Sequence, residues 1–592
     1  MKCSRCQHDN PTDARFCEEC AAPLGRVCAN CGTPVRATAK FCPACAHPVE
    51  AVATAPQRFS TPDTYTPKHL AERILTSRAA LEGERKQVTV LFADLKGSME
   101  LLADRDLEEA RKLLDPVLER MIEAVHRFEG TVNQVMGDGI MALFGAPLAL
   151  EDHAVRACYA ALAMQSAIST YNEELTRAQG IAVHIRVGLN SGEVVVRAIS
   201  NDLHMDYSAV GQTTHLAARM EQLAASGATL LTDNTLRQVE GFVIVKPRGP
   251  VPVKGLSQPV EVYELTGTGA ARTRFQAAVA RGLTQFVGRT DELAQLIKAL
   301  EQARTGQGQL AALVGEPGVG KSRLVWEFTH SHRTRGWLVL ESGSVSYGKA
   351  SAYRPVIDLL KAYFQIAERD DARKIRERVT GKLLTLDESL KPMLVPLLAL
   401  LDVIMEDAAW MQLDPAQKRL RTLDACKRLM LREAQVQPLL LVFEDLHWID
   451  SETQTFLDGL VESVPTTRIL LLVNYRPEYE NRWIAKTYYT QLRIDPLTDE
   501  SAEALLHSLI GDDSSLLDLR HSLIERTDGN PLFLEECVRT LVETNVLQGS
   551  RQAFRLTVSL ANIRMPATIQ ASWPRALTGS LPMTSACCKP QR

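Results

Sequence analysis

Apolar residues fall in short unbroken blocks along the chain, and several of the blocks end in an acid or a turn. Val88–Phe92, inside QVTVLFADLKGS, predicts a buried strand that runs into Asp94 and a glycine-containing turn. Gly130–Gly145 reads GTVNQVMGDGIMALFG and predicts two apolar strands on either side of the turn Gly137-Asp138-Gly139. Leu310–Val314, Pro438–Phe443 and Ile469–Tyr479 predict further buried strands, the last closing on polar Asn474 and Arg476. Helical patterning dominates 500–550. A short helix with Leu70, Ile74 and Leu81 near one face is expected earlier, either as a packed extension or as a pairing element for a second copy. Between 46 and 67 the stretch AHPVEAVATAPQRFSTPDTYTP is rich in Ala, Thr and Pro and predicts a linker.

Length and charge narrow the class. At 592 residues the chain exceeds a single hydrophobic core and suggests about four domains. Its 45% hydrophobic and 23% charged residues exclude wholesale disorder. Lys and Arg number 67 against 71 acids, a net −4, so no global basic field exists to hold nucleic acid or an anionic membrane. The apolar run Met393–Leu401 carries Pro396 and is about half the ~18 residues a membrane span needs. The opening MKCSRCQHDN has no apolar signal core. The expectation is a soluble cytoplasmic multidomain protein.

Eight of the 13 cysteines lie in the first 45 residues. Cys3, Cys6, Cys17 and Cys20 form CxxC-x10-CxxC, and Cys28, Cys31, Cys42 and Cys45 repeat that spacing. A CxxC turn aims two thiolates at one point, and two such turns complete a tetrahedral S4 site for zinc. Disulfides would need an export signal. A segment of ~45 residues cannot bury enough core unaided, so metal would supply its folding energy. Four thiolates leave no open position for catalysis, so two structural Zn²⁺ ions in a docking module are expected. The pattern resembles the double zinc ribbon family.

Gly315-Glu316-Pro317-Gly318-Val319-Gly320-Lys321-Ser322 fits GxxxxGK[ST] between an apolar strand and a helix beginning near Ser322. In this motif backbone N–H groups wrap phosphates, Lys321 reaches the β/γ oxygens and Ser322 coordinates Mg²⁺. The strand at 438–443 then delivers Glu444 and Asp445 as Walker B acids. By position Glu444 takes the metal role and Asp445 the water-activating one, an order that could be reversed. Asn474 or Arg476 is a candidate γ-phosphate sensor; a plain ion pair with a surface acid is the alternative for Arg476. FVGRTDEL (Phe286–Leu293) and DGNPLFLEE (Asp528–Glu536) complete a resemblance to AAA-like signalling ATPases of the STAND class over about 284–565. The resemblance implies a helical lid opening at Gly529-Asn530-Pro531 and a slow ATP-binding switch.

Asp94 and Asp138 would converge if their strands are neighbours, as a two-metal site requires; each alone is also an ordinary turn former. FADLKGS, MGDGIMALFG, VHIRVGLNSGEVV (Val183–Val195) and YSAVGQTTHLAARM (Tyr207–Met220) together resemble the class III adenylyl/guanylyl cyclase domain. That resemblance implies head-to-tail pairing of two copies, Mg²⁺ or Mn²⁺ on Asp94 and Asp138, and Arg219 supplied by the other chain to stabilise charge on the α-phosphate. The family's adenine-reading lysine falls on Gln134, its partner on Ser208, and its transition-state Asn on His215. A Gln amide can donate to adenine N1 and accept from the N6 amine, so Gln134 with Ser208 is compatible with ATP.

After MPATIQA (Met565–Ala571) the pattern collapses into SWPRALTGSLPMTSACCKPQR. Reading Ser572–Gln591 one base earlier permits QLAARIDRLPADDKRLLQTA, an amphipathic string, so a frameshift near codon 571 that removes a partner-binding half is one expectation. The organisation expected is multidomain α/β: zinc ribbons at 1–47, a linker and possible signalling helix at 48–83, a ferredoxin-like α/β cyclase domain at 84–265, a P-loop parallel α/β core at 284–500, a helical lid at 501–571 and an aberrant tail at 572–592. The function expected is synthesis of 3′,5′-cyclic AMP from ATP by a homodimer under an ATP switch, with protein partners at the ribbons or the missing region. The rival is an ATP-controlled scaffold whose cyclase domain only dimerises or senses nucleotide.

Overall fold

The computed structural model describes residues 85–97, 107–195, 212–253, 258–269, 271, 273–345, 352–367, 370–404 and 407–558, with His8, 26–27, 34–35, 66–67 and Leu70. The eight ribbon cysteines, Ile74, Leu81, Ser208 and the 572–592 tail lie outside the described residues. Contacts divide the chain into Met1–Pro67 and Lys68–Arg592. In the first unit β1 (Arg26–Val27) pairs antiparallel with β2 (Pro34–Val35).

The second unit begins with a seven-stranded sheet. Its strands are β3 (Arg85–Leu95), β4 (Thr131–Met136), β5 (Gly139–Phe144), β6 (Ile185–Val195), β7 (Thr229–Thr232), β8 (Val243–Val251) and β9 (Val260–Thr268). They lie in the order β4-β5-β3-β6-β7-β9-β8, with β6 and β7 parallel and the other neighbours antiparallel. β3 alternates between two buried faces, as its pleat requires. Val88, Val90 and Phe92 pack with Met141, Leu143 and Ala217, the last from helix Gln212–Leu223. Thr89, on the opposite face, meets His153 at the start of helix His153–Gln179, with 2.8 Å between Thr89 Oγ1 and His153 Nδ1. β3 is longer than the apolar block because its polar start is paired as well, Arg85 opposite Val195 and Gln87 opposite Glu193. The body also runs past 265. β9 ends at Thr268, and helix Arg274–Arg281 docks Ala277 near Gly241.

The next body is a five-stranded parallel sheet: β10 (Gln309–Val314), β11 (Leu338–Gly343), β12 (Leu439–Glu444), β13 (Ile469–Tyr475) and β14 (Tyr489–Arg493) in the order β11-β12-β13-β10-β14. Parallel strands are covered on both faces, hence their continuous apolar runs. Ala311, Leu313, Leu440 and Leu472 face the helices Thr290–Arg304 and Lys321–Thr329. Leu310, Ala312, Leu441 and Leu471 face a second core that includes Leu397 and Leu398, so the 393–401 run packs into the core of this domain. Among the described residues no helix is long and apolar enough to cross a membrane.

Helices Asp499–Ile510, Leu517–Thr527 and Pro531–Glu543 form a third core around Leu506, Leu523 and Leu534. Helical patterning does not extend through 550 as the sequence suggests. β15 (Leu547–Ser550) and β16 (Ala553–Leu556) make an antiparallel hairpin in which Leu547 is buried, while Gln548, Gly549 and Ser550 are exposed and give no apolar period to read.

Candidate active site and nucleotide switch

Register brings the two cyclase acids together. Asp94 stands opposite Gly139 across the β3–β5 ladder and opposite Arg186 across β3–β6, so the Asp138 turn closes directly beside it. A Cβ on residue 139 would lie 2.7 Å from the Ala93 carbonyl oxygen and 2.8 Å from Asp94 Oδ1; only glycine admits that approach. The turn former and the paired acid are therefore the same residue: Asp138 makes the hairpin and faces Asp94.

Two charged groups that the motifs did not single out complete the cluster. Arg186 donates from a terminal guanidinium nitrogen to Asp94 Oδ2 at 2.9 Å. The same nitrogen lies 2.8 Å from Glu221 Oε1, but off the hydrogen-bonding direction, so that contact is electrostatic. Burial raises the Asp94 carboxyl above its ordinary value; the Arg186 hydrogen bond pulls it back, and the Asp138 charge raises it again. Burial likewise raises Glu221, against the pull of Arg186. A charged residue between apolar Ile185 and Val187 was the available signal for Arg186.

Arg219 and His215 occupy a different aspect of the same helix. His215 is exposed, and Arg219 bonds Gln222 of its own helix at 3.1 Å while Glu221 turns inward. Gln134 is exposed on β4, at the edge of the sheet, beside a register shift between Val132 and Gln134. Within one chain, then, the acids converge, His215 and Gln134 are exposed, and Arg219 is half-buried with its Nε shielded from solvent. Among the described residues no group of three or more His, Cys, Asp or Glu side chains is set to hold a metal ion. Two mutually repelling carboxylates do suit a hard divalent cation whose remaining ligands come from triphosphate and water.

The P-loop site is assembled within the chain. Lys321 Nζ donates to the carbonyls of Gly315 (2.8 Å) and Glu316 (2.9 Å), and burial lowers its pKa to about 8, with Asp445 opposing that shift. Glu444 accepts from Asn474 Nδ2 at 2.9 Å and is hydrogen-bonded to Ser322, the hydroxyl that closes the motif. Desolvation and the Asp445 charge push Glu444 up to about 7; desolvation pushes Asp445 up to about 6, against the pull of Lys321 and Arg476. Asn474 also accepts from the Asp445 backbone N–H at 2.7 Å, so both ends of its amide brace the Walker B turn. Asp445 itself has a left-handed φ of 58°.

The lid touches the loop directly. Asn530 caps helix Pro531–Glu543, donates to the Pro317 carbonyl at 3.0 Å, and lies against Gly318, where a Cβ would meet Asn530 Oδ1 at 2.7 Å. Leu532 N–H donates to the Gly318 carbonyl at 3.3 Å. Arg476, just beyond β13, lies over the Trp448 ring and 3.4 Å from Glu151 Oε1.

Residues 82–267 match the family model described as the adenylate and guanylate cyclase catalytic domain, residues 285–473 the AAA ATPase domain, and residues 3–46 the double zinc ribbon. The chain is therefore a multidomain α/β protein that joins a double zinc ribbon, a nucleotidyl cyclase catalytic domain and an AAA ATPase domain. It is 25% identical over 477 residues to an uncharacterised protein of Rhizobium meliloti (strain 1021), covering 80% of this chain and 46% of that one. It is 30% identical over 224 residues to adenylate cyclase 1 of the same organism, covering 36% and 33%. The chain thus spans less than half the length of these two relatives. Among solved structures, the adenylyl cyclase CyaB from P. aeruginosa is 31% identical and covers 32% of this chain and 98% of its own, with a TM-score of 0.30.

Proposed function

We propose that the chain is a signalling adenylyl cyclase that works as a homodimer and is regulated by ATP at its P-loop domain. The observation that carries this reading is the split of the cyclase machinery: Asp94 and Asp138 converge at adjacent strand ends, while exposed His215 and half-buried Arg219 lie one turn apart on helix Gln212–Leu223, with Arg219 bonded to Gln222. Two such half-sites are complementary if a second copy docks head to tail, each supplying what the other lacks. Bound at Asp94 and Asp138, Mg²⁺ or Mn²⁺ would supply Lewis acidity and counter-charge for a triphosphate. In the reaction the ribose 3′-oxygen bonds the α-phosphorus and pyrophosphate leaves. Arg219 of the partner subunit would stabilise negative charge on the α-phosphate oxygens, with His215 beside the ribose. Gln134, with Ser208, would read the adenine edge. Arg186 would hold Asp94 in place and neutralise part of the acid cluster when no cation is present.

At the second site Gly315–Ser322 would cradle the β- and γ-phosphates, Glu444 with Ser322 would hold Mg²⁺, and Asp445 would orient water. Eight thiolates at the N-terminus would hold two structural Zn²⁺ ions, leaving the ribbons free to dock a protein partner. The scaffold reading draws support from one feature, the existing pairing of Asp94 with Arg186. Purified full chain given Mn²⁺ with ATP or GTP separates the two readings. Cyclic AMP that disappears with Asp94→Ala is expected; a folded dimeric chain that makes no cyclic nucleotide would leave only the scaffold.

A further inference from the structure

The P-loop site carries one contact that none of its motifs explains. Glu151 belongs to the cyclase body, in the 145–152 loop between β5 and helix His153–Gln179, yet its carboxylate lies 3.4 Å from Arg476 at the end of β13. Both side chains are partly shielded, Arg476 at 17% exposure and Glu151 at 37%. Arg476 is close enough to Lys321 and Asp445 to act on the charge of each, and Glu151 acts on Asp445 as well, so the pair borders the phosphate site. The junction that follows the cyclase body holds the same loop. Arg274 donates to the Glu151 carbonyl, and Thr284 is tied to the helix after the P-loop through Arg323 (2.6 Å) and to the lid through Glu535 (2.8 Å).

We infer that Glu151 of the cyclase domain is a positioning residue of the ATPase site, holding Arg476 aside until the γ-phosphate of a bound nucleoside triphosphate displaces it. This rests on nucleotide binding at Gly315–Ser322. A guanidinium prefers the doubly charged, fork-matched terminal phosphate to a half-exposed carboxylate 3.4 Å away. A diphosphate places no phosphate at the γ position and leaves the ion pair intact, so the pair distinguishes the two nucleotide states. Its release removes the side-chain tie, leaving the Arg274 bond, on a loop that is the direct continuation of β5, a strand buried along all six residues whose other end is Gly139 beside Asp94. The switch therefore acts on the strand that carries the Asp138 turn, through packed backbone and without a separate linker.

The test uses the full chain, with ATPγS and ADP binding measured calorimetrically and the signal that survives Lys321→Ala subtracted to isolate the P-loop site. Glu151→Gln should tighten ATPγS binding about threefold to fivefold, the worth of a partly exposed ion pair, and leave ADP binding unchanged. Arg476→Gln should weaken ATPγS binding, and adding Glu151→Gln to it should then do nothing. ATPγS should also speed amide exchange in 145–152 in the wild type but not in Lys321→Ala. Equal ATPγS affinity in wild type and Glu151→Gln, an equal effect on ADP, or an effect that persists without Arg476 would each overturn the proposal. If Lys321→Ala binds nucleotide as the wild type does, the P-loop reading itself fails, and the proposal with it.

Discussion

The cyclase and P-loop regions face the same chemical task, a polyphosphate with a divalent cation, and are built in opposite ways. At the P-loop three groups are already engaged: Lys321 by loop carbonyls, Glu444 by Asn474 and Ser322, and Asn530 of the lid by Pro317. At the cyclase site the Asp138 turn closes beside Asp94, which accepts from Arg186, while His215 and Gln134 are exposed and Arg219 is half-buried. The first is assembled within one chain. The second, on the proposed function, is half a site, suited to control by whatever brings two copies into register.

The contrast breaks most visibly at the acids. Asp94→Ala or Asp138→Ala should lower cyclic nucleotide formation about a thousandfold or more while P-loop binding stays intact, which assays of both sites on one preparation would check. Lys321→Ala should do the reverse, weakening ATP binding at the P-loop about a hundredfold, the loss of charge-assisted phosphate contacts. Cyclase chemistry under saturating substrate would persist in that variant; its collapse would mean the two sites are one unit. Asn474→Ala sharpens the claim that the P-loop site is braced in advance. It takes one of two partners from Glu444, which keeps Ser322, strips the side-chain partner from the Asp445 amide, and should cost about tenfold in Mg²⁺-dependent ATP affinity, by titration.

The smallest effect at neutral pH is a latent acid sensitivity in the cyclase core. Burial lowers the His153 pKa to about 4 from an ordinary 6.5. Between those values the unfolded chain binds the proton and the folded chain does not, so stability falls as pH drops from 6.5 toward 4, by about 3 kcal/mol at most. Urea unfolding across that window should show the loss in the wild type and a reduced slope in His153→Gln. An unchanged slope would place the acid sensitivity elsewhere.

Local pattern made much of this legible. The strands at 88–92, 310–314 and 438–443, the turn at Asp138 and the P-loop were readable because alternation, turn chemistry and motif spacing are short-range properties. What was missed depends on register between distant segments. Arg186 faces Asp94 across 92 positions of chain, and Glu151 meets Arg476 across 325, distances over which no period carries information. The sequence offered both an ion pair and a sensor role for Arg476; the ion pair is present, and its partner sits on another domain. Helix Arg274–Arg281 went unread because only Ala277 of its eight residues is buried, too little to give an apolar face.

The central claim, that the cyclase site is completed by a second copy, is tested most directly by mixing two inactive chains. Asp94→Ala lacks one half of each site and Arg219→Ala the other. If the copies pair head to tail, half of an equimolar mixture is mixed dimer with one intact site of two, so about a quarter of wild-type cyclic nucleotide formation should return. No recovery from a mixture shown to exchange subunits would contradict the account.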